Sequence, residues 1–220
     1  MSKKIILDPG HGGRDTGAGT SPPYESQLAL EFSKVLAQAF ETQGFQVAMT
    51  RTEDVHVPLD DRCKGTEGAA AFLSIHMDGA VSEKASGPSV WVHSKAPKSY
   101  LDWGQAVVDG LKGVGITSNR AQAVHRGHVD GPQYDYKVNR DTIPPSMLLE
   151  MGFATNEANR REITGHAQEY AQAVVQATCK FLGEDYTPQE GKPNPDSKTI
   201  SLQELGEMLR QYGVYHITLG

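Results

Sequence analysis

Apolar positions along the chain change their period several times, and each change marks a predicted element. Lys4–Leu7 is a short apolar run that stops at Asp8-Pro9-Gly10-His11-Gly12-Gly13, which predicts a strand entering a glycine-rich loop. Leu28, Ala29, Phe32, Val35, Leu36, Ala39 and Phe40 then recur at helical spacing, with Gly44 as the stop. Phe45–Met49 reads as a strand, Leu59–Glu67 as a helix, and Ala70–Ile75 as a buried strand ending at His76. Ser89–Val92 is a further strand, and Tyr100–Leu111 a helix with Trp103, Ala106, Val107 and Leu111 on its apolar face. Residues 113–142 are rich in Gly, Asn, Asp and Tyr and read mostly as loops with one short strand. Met147–Met151 is an apolar strand broken by a single charge, Glu150, and His166–Leu182 is a last amphipathic helix.

Strands alternating with helices predict an α/β fold: a largely parallel mixed sheet with helices on both faces, in a single main domain over residues 1–182. Ligands of such sheets gather beyond the carboxyl ends of the strands. His11 and His76 are expected just past such ends, and Glu150 at or near one. Residues 183–198, with Pro188, Pro193 and Pro195 among polar residues, read as a linker. Ser201-Leu-Gln-Glu204 is a capping-box pattern, and Leu202, Leu205, Met208, Leu209 and Tyr212 form an apolar stripe. Residues 199–220 are therefore expected to be a small C-terminal helical appendage that docks on the main domain, self-associates, or binds an outside ligand or partner.

Composition narrows the classes. A chain of 220 residues can bury a core without a structural metal, so a metal site would be functional. The formal charge of −6 argues against a nucleic-acid binder. No apolar run approaches the roughly 20 residues of a membrane span, and the start of the chain lacks the long apolar region of a signal peptide. Cys63 and Cys179, far apart in the sequence, are expected as reduced thiols.

The chemistry rests on four residues. A catalytic zinc usually takes His and Asp/Glu ligands and leaves one position for water, whose pKa it lowers to about 7. A second carboxylate, free of the metal, can then move the proton. His11, Glu25, His76 and Glu150 are such parts. Each has an ordinary alternative: Glu25 at a helix start complements the helix dipole, and Glu150 could pair with Arg62 or Arg140. A carboxylate inside Met-Leu-Leu-Glu-Met-Gly-Phe is nonetheless costly to bury without a partner or a function.

Asp8-Pro-Gly-His-Gly-Gly, Glu25, Leu59-Asp-Asp-Arg-Cys, Phe72-Leu-Ser-Ile-His-Met-Asp78 and Leu149-Glu-Met-Gly-Phe-Ala-Thr-Asn156 closely resemble, in order, the zinc-dependent N-acetylmuramoyl-L-alanine amidases of the amidase-3 type. The likeness runs from about Lys3 to Leu182. It implies hydrolysis of the amide joining the lactyl group of N-acetylmuramic acid to L-alanine of the peptidoglycan stem peptide. It also implies Zn2+ on His11, Glu25 and His76, with Glu150 as catalytic acid/base. The other functional classes are a different zinc peptidase or deacylase acting on wall peptides, and an inactive wall-binding module. Met77-Asp78 stands where the family often has Ala-Asn, which touches substrate contacts; Asp78, Asn139 and Arg140 are the candidate substrate residues, and Tyr134 and Tyr136 could contact sugar or peptide or belong to a structural loop. The interval between His76 and Glu150 shows no extra autoinhibitory helix, so an open site is expected. The absence of a recognisable leader and the small C-terminal appendage point towards a phage endolysin, made in the host cytoplasm and acting on bacterial peptidoglycan after release; the alternative is a bacterial autolysin given without its leader. His125-Arg-Gly-His128 is a rival metal motif without an evident third ligand, and Trp91 and Trp103 read as core.

Overall fold

The computed structural model describes residues 2–19 and 21–188. The capping-box segment, the apolar stripe and most of the segment read as a linker lie outside the described residues. A single sheet organises the rest. β1 (Lys4–Pro9), β2 (Gln46–Met49), β3 (Ala71–Asp78), β4 (Ser89–Val92), β5 (Val124–Arg126) and β6 (Ser146–Phe153) lie in the order β2-β1-β3-β6-β4-β5. β2, β1, β3 and β6 run parallel, whereas β4 is antiparallel to β6 and parallel to β5. The sheet is thus mixed but mostly parallel, as the alternating pattern predicts.

Strand alternation decides what each face carries. Odd positions of the central strands (Ile5, Leu7, Leu73, Ile75, Met147, Leu149, Met151) point into the main core. Three long helices, α1 (Glu25–Thr42), α3 (Lys98–Val114) and α6 (Ala167–Leu182), cover that face, and Trp103 of α3 stacks on Phe181 of α6 at 4.5 Å. Even positions face the other way. There Ile6, Phe72 and Leu148 form a smaller cluster with Val138, beneath the one-turn helices α2 (Leu59–Arg62) and α4 (Lys137–Arg140). Helices do lie on both faces, but the second cover is thin.

That asymmetry places the chemistry. His76, Asp78 and Glu150 are even-numbered and share the thinly covered side, and His76 sits directly across from Glu150 in the β3–β6 register. Both residues therefore lie within their strands. The expectation that His76 would follow a strand end is corrected: β3 continues through Asp78, because its later residues still pair with β6. Likewise Glu150 lies mid-strand in β6. His11 does fall in the loop after β1.

Other boundaries shift for local reasons. The helix expected at 59–67 ends after one turn at Arg62, and a further helix, α5 (Glu157–Gly165), follows β6. Within the span read as loops, β5 is the expected short strand and α4 an additional helical turn. Beyond Gly183, the left-handed C-cap of α6, residues to Thr187 still lie along the domain: Tyr186 packs on the core and Gln43 bonds the Thr187 backbone. Both cysteines are free thiols. Among the described residues no helix is long and apolar enough to cross a membrane.

Candidate active site

The loop after β1 is held by cations with local and distant partners. Arg51, 3 % exposed, donates to the carbonyls of Pro9, Gly10, Ser26 and Glu53. Arg62 donates to Asp8 Oδ1 and to the carbonyls of Val57, Pro9 and His11. Asp8 in turn accepts from Thr50 and Ser74. Two buried guanidiniums thus clamp the turn in which His11 adopts φ +57°, a left-handed conformation unusual for a residue with a side chain. Burial and the like charge of Arg62 lower the pKa of Arg51, against smaller opposing effects of Asp54 and Asp8.

The clamped loop aims His11 at Glu25, the first residue of α1. Glu25 is 3 % exposed, and its Oε1 lies 3.1 Å from His11 Nε2 and 2.8 Å from His76 Nδ1. The same oxygen accepts from Met77 N, while Oε2 accepts from Ala18 N at 2.7 Å. Burial works against its charge, but the hydrogen bonds and charges of the two histidines outweigh that and hold the carboxyl well below its usual range. Burial likewise opposes charging of His11, and Glu25 and Asp15 overcome it, raising its pKa. His11 Nδ1 lies 2.9 Å from Asp15 Oδ2, off the line of a hydrogen bond.

The three donor atoms lie within 4.8 Å of one another, and no other such group occurs among the described residues. Two imidazoles and one ionised carboxylate are a donor set that suits zinc. The surroundings leave room only for these rings. A Cβ on Gly10 would sit 2.3 Å from the His76 ring, and one on Gly17 would sit 2.4 Å from Glu25 Oε2. The residues fit a zinc ion.

Glu150 completes the floor of a cavity of about 500 Å³ that also holds His11, Glu25 and His76. Its Oε2 touches neither solvent nor a hydrogen-bond partner. Burial first, then the charges of Glu25 and Asp78, push its pKa well above the usual value, against a smaller opposing effect of Arg120. The ion-pair alternatives do not form: Arg62 is bound to Asp8, and Arg140 to Asp141.

The substrate candidates separate. Asp78 lines the cavity and pairs with Arg120, whose guanidinium also lies over the Phe153 ring at 4.4 Å. Asn139 and Arg140 do not line the cavity. Asn139 is turned inward and donates to the Trp91 carbonyl, and Arg140 lies in solvent against Asp141. The single turn of α4 instead presents Tyr136, Lys137 and Val138 to the cavity. Burial and the charges of Glu150 and Asp78 push the Tyr136 hydroxyl up to about 12, so it stays protonated at neutral pH. His125 and His128 form no metal site: His125 stacks on Trp91 and His128 packs on Tyr136. Trp103 is core, while Trp91 is only partly buried. α3, the long helix between His76 and Glu150, is committed to the main core on the opposite face and does not cover the site. Arg51, Arg62 and Arg120 were not legible as site-builders, since their partners are mostly backbone carbonyls and acids tens of residues away.

A mostly parallel α/β domain with a His-Glu-His donor cluster beside a half-buried, unpaired glutamate has the parts of a hydrolase. The family model for N-acetylmuramoyl-L-alanine amidase matches residues 5–182, and the chain belongs to that family. It is 35% identical over 181 residues to the probable cell wall amidase LytH of Staphylococcus aureus, covering 80% of this chain. That match spans 57% of the length of the relative. The crystal structure of N-acetylmuramoyl-L-alanine amidase from Clostridium difficile 630 is similar, with a TM-score of 0.73, 27% identity and coverage of 83% of this chain and 97% of that one. N-acetylmuramoyl-L-alanine amidase AmiC2 of Nostoc punctiforme matches at a TM-score of 0.65 and 26% identity, over 83% of this chain and 98% of that one.

Proposed function

We propose that this protein is a zinc-dependent peptidoglycan hydrolase that cleaves the amide between the lactyl group of N-acetylmuramic acid and L-alanine of the stem peptide. The observation that carries the reading is one cavity in which three metal donors meet on Glu25 Oε1 and a fourth group, Glu150, stands beside them without a partner. Family membership and the names of the relatives supply the bond.

His11, Glu25 and His76 would hold the zinc, which when bound supplies a Lewis acid for the lactyl carbonyl and a water of lowered pKa. Glu150 takes a proton from the attacking water and returns it to the alanine nitrogen as the C–N bond breaks, so the products are a free lactyl carboxylate and a free amine. Its site is built for that exchange, because a carboxyl raised by burial holds a transferred proton well. Tyr136, protonated at neutral pH and lining the same cavity, keeps a hydroxyl donor there.

Metal analysis combined with mass spectrometry of digested walls tests the reading. One zinc per chain, lost in His76→Ala, together with lactyl carboxylate ends and new alanine N-termini, is the expected result. Cleavage of a different bond would make the protein another zinc peptidase or deacylase, and a bound metal without products would make it a wall-binding module.

A further inference from the structure

Glu150 has a neighbour directly across the sheet on each side. In the parallel β3–β6 register it faces His76, and in the antiparallel β4–β6 register it faces Ser89. Strand alternation turns Ser89 to the same side of the sheet as Glu150. Val90 and Val92 point into the main core, whereas Trp91 packs on the smaller cluster of the opposite face, opposite Leu148. A row His76–Glu150–Ser89 therefore crosses three strands, with a proposed metal ligand at one end and a hydroxyl at the other.

The hydroxyl end of that row is unusual. Ser89 is fully buried, and its Oγ has no hydrogen-bond partner among the described residues. The facing Glu150 Oε2 is buried and unpartnered as well. Either group alone is costly to bury, and β4 could have carried an apolar residue at this position as it does at its neighbours. Opposed residues of an antiparallel pair hold their Cβ atoms about 4.5–5.5 Å apart, so rotation about side-chain bonds brings the serine O–H to the carboxylate. The nearby guanidinium of Arg120 is already engaged, by Asp78 and the Gly87 carbonyl.

Resting on the hydrolase reading above, we propose that Ser89 is the positioning residue for Glu150: its hydroxyl turns to the ionised carboxylate and donates to Oε2. Glu150 lines the cavity, but Oε2 is turned away from it, so only the other oxygen can meet the attacking water. A carboxylate free to rotate offers either oxygen, and a proton is moved only by an atom within hydrogen-bond reach of it. With Oε2 tied to Ser89, the proton of the water passes to the cavity-side oxygen and leaves from that oxygen to the alanine nitrogen. The serine keeps its own proton throughout.

Ser89→Ala removes the hydroxyl and little volume. On an N-acetylmuramoyl peptide, the zinc-loaded variant should lose about tenfold or more in kcat, the scale of one hydrogen bond to a charged group. KM and zinc affinity in competition titrations should match wild type. The same substitution made in Glu150→Gln should leave the residual rate as it is, because the proton carrier is already gone. A Ser89→Ala enzyme with wild-type kcat overturns the inference. An equal fold-loss in both backgrounds also overturns it, since Ser89 would then serve the fold alone, and so does weakened zinc binding, which would trace the loss to His76. No cleavage by wild type, or a Glu150→Gln variant as active as wild type, overturns the hydrolase reading of the site and this inference with it.

Discussion

Glu150→Gln keeps the shape of the side chain in β6 while removing its charge and its capacity to carry a proton. Activity should fall by about 10²–10⁴, the usual share of a general acid–base. Stability should move the other way. The carboxyl of Glu150 is raised by burial and by Glu25 and Asp78, so its ionised form is disfavoured in the folded protein. A carboxyl whose folded pKa exceeds its unfolded value, about 4.3, leaves the fold intact in acid. It costs stability as pH rises from there towards the folded pKa. Each unit of elevation is worth about 1.4 kcal/mol, and a buried unpaired polar atom costs about 1–3 kcal/mol. An amide there still lacks a partner but bears no charge. The metal-free Gln variant should therefore exceed wild type at pH 8 by about 1.4 kcal/mol or more, the worth of at least one unit of elevation, and the difference should vanish near pH 4. With zinc loaded the advantage should shrink, because a nearby cation favours the carboxylate. Urea unfolding with a chelator across that range, run beside muropeptide release, measures both halves. A Gln variant no more stable than wild type at pH 8, or a difference independent of pH, would refute the electrostatic account of this residue.

Arg51→Leu leaves four carbonyls without their donor, three of those bonds being buried. It should cost about 3–5 kcal/mol in urea unfolding and weaken zinc binding by releasing the His11 turn. Gly17→Ala combines a φ of +67° with a Cβ 2.4 Å from Glu25 Oε2 and 2.6 Å from His11 Cδ2. It should lower zinc affinity by about tenfold or more in competition titrations, with the far-UV spectrum unchanged.

Elements whose residues face a continuous core were readable from the chain, because burial imposes a period. β1, α1, β4 and α6 each carry an apolar stripe or run that matches the buried face. α5 was not, since of Glu157–Gly165 only Asn159 and Ile163 are buried, and its clearest signal was the single N-cap Asn156. His11, Glu25, His76 and Glu150 were legible because carboxylates and imidazoles among glycines or apolar residues have few ordinary uses. Asn139 and Arg140 lie outside the cavity lining for a geometric reason. A helix of one turn can face a cavity with only part of its surface, and the turn of α4 faces it with the residues just before them. The work of Arg51, Arg62 and Arg120 is done across tens of residues, which no local pattern encodes.

Two imidazoles facing one carboxylate oxygen also make the site a seat for which two occupants compete. The acidic neighbours that raise the pKa of His11 favour a proton on the same group of atoms that the proposed zinc requires. Metal entry must evict that proton, so below the raised pKa of His11 each pH unit weakens apparent metal affinity by about tenfold. Acid surroundings would then silence the enzyme by emptying it of metal while its fold stays whole, and a return to neutrality would rearm it.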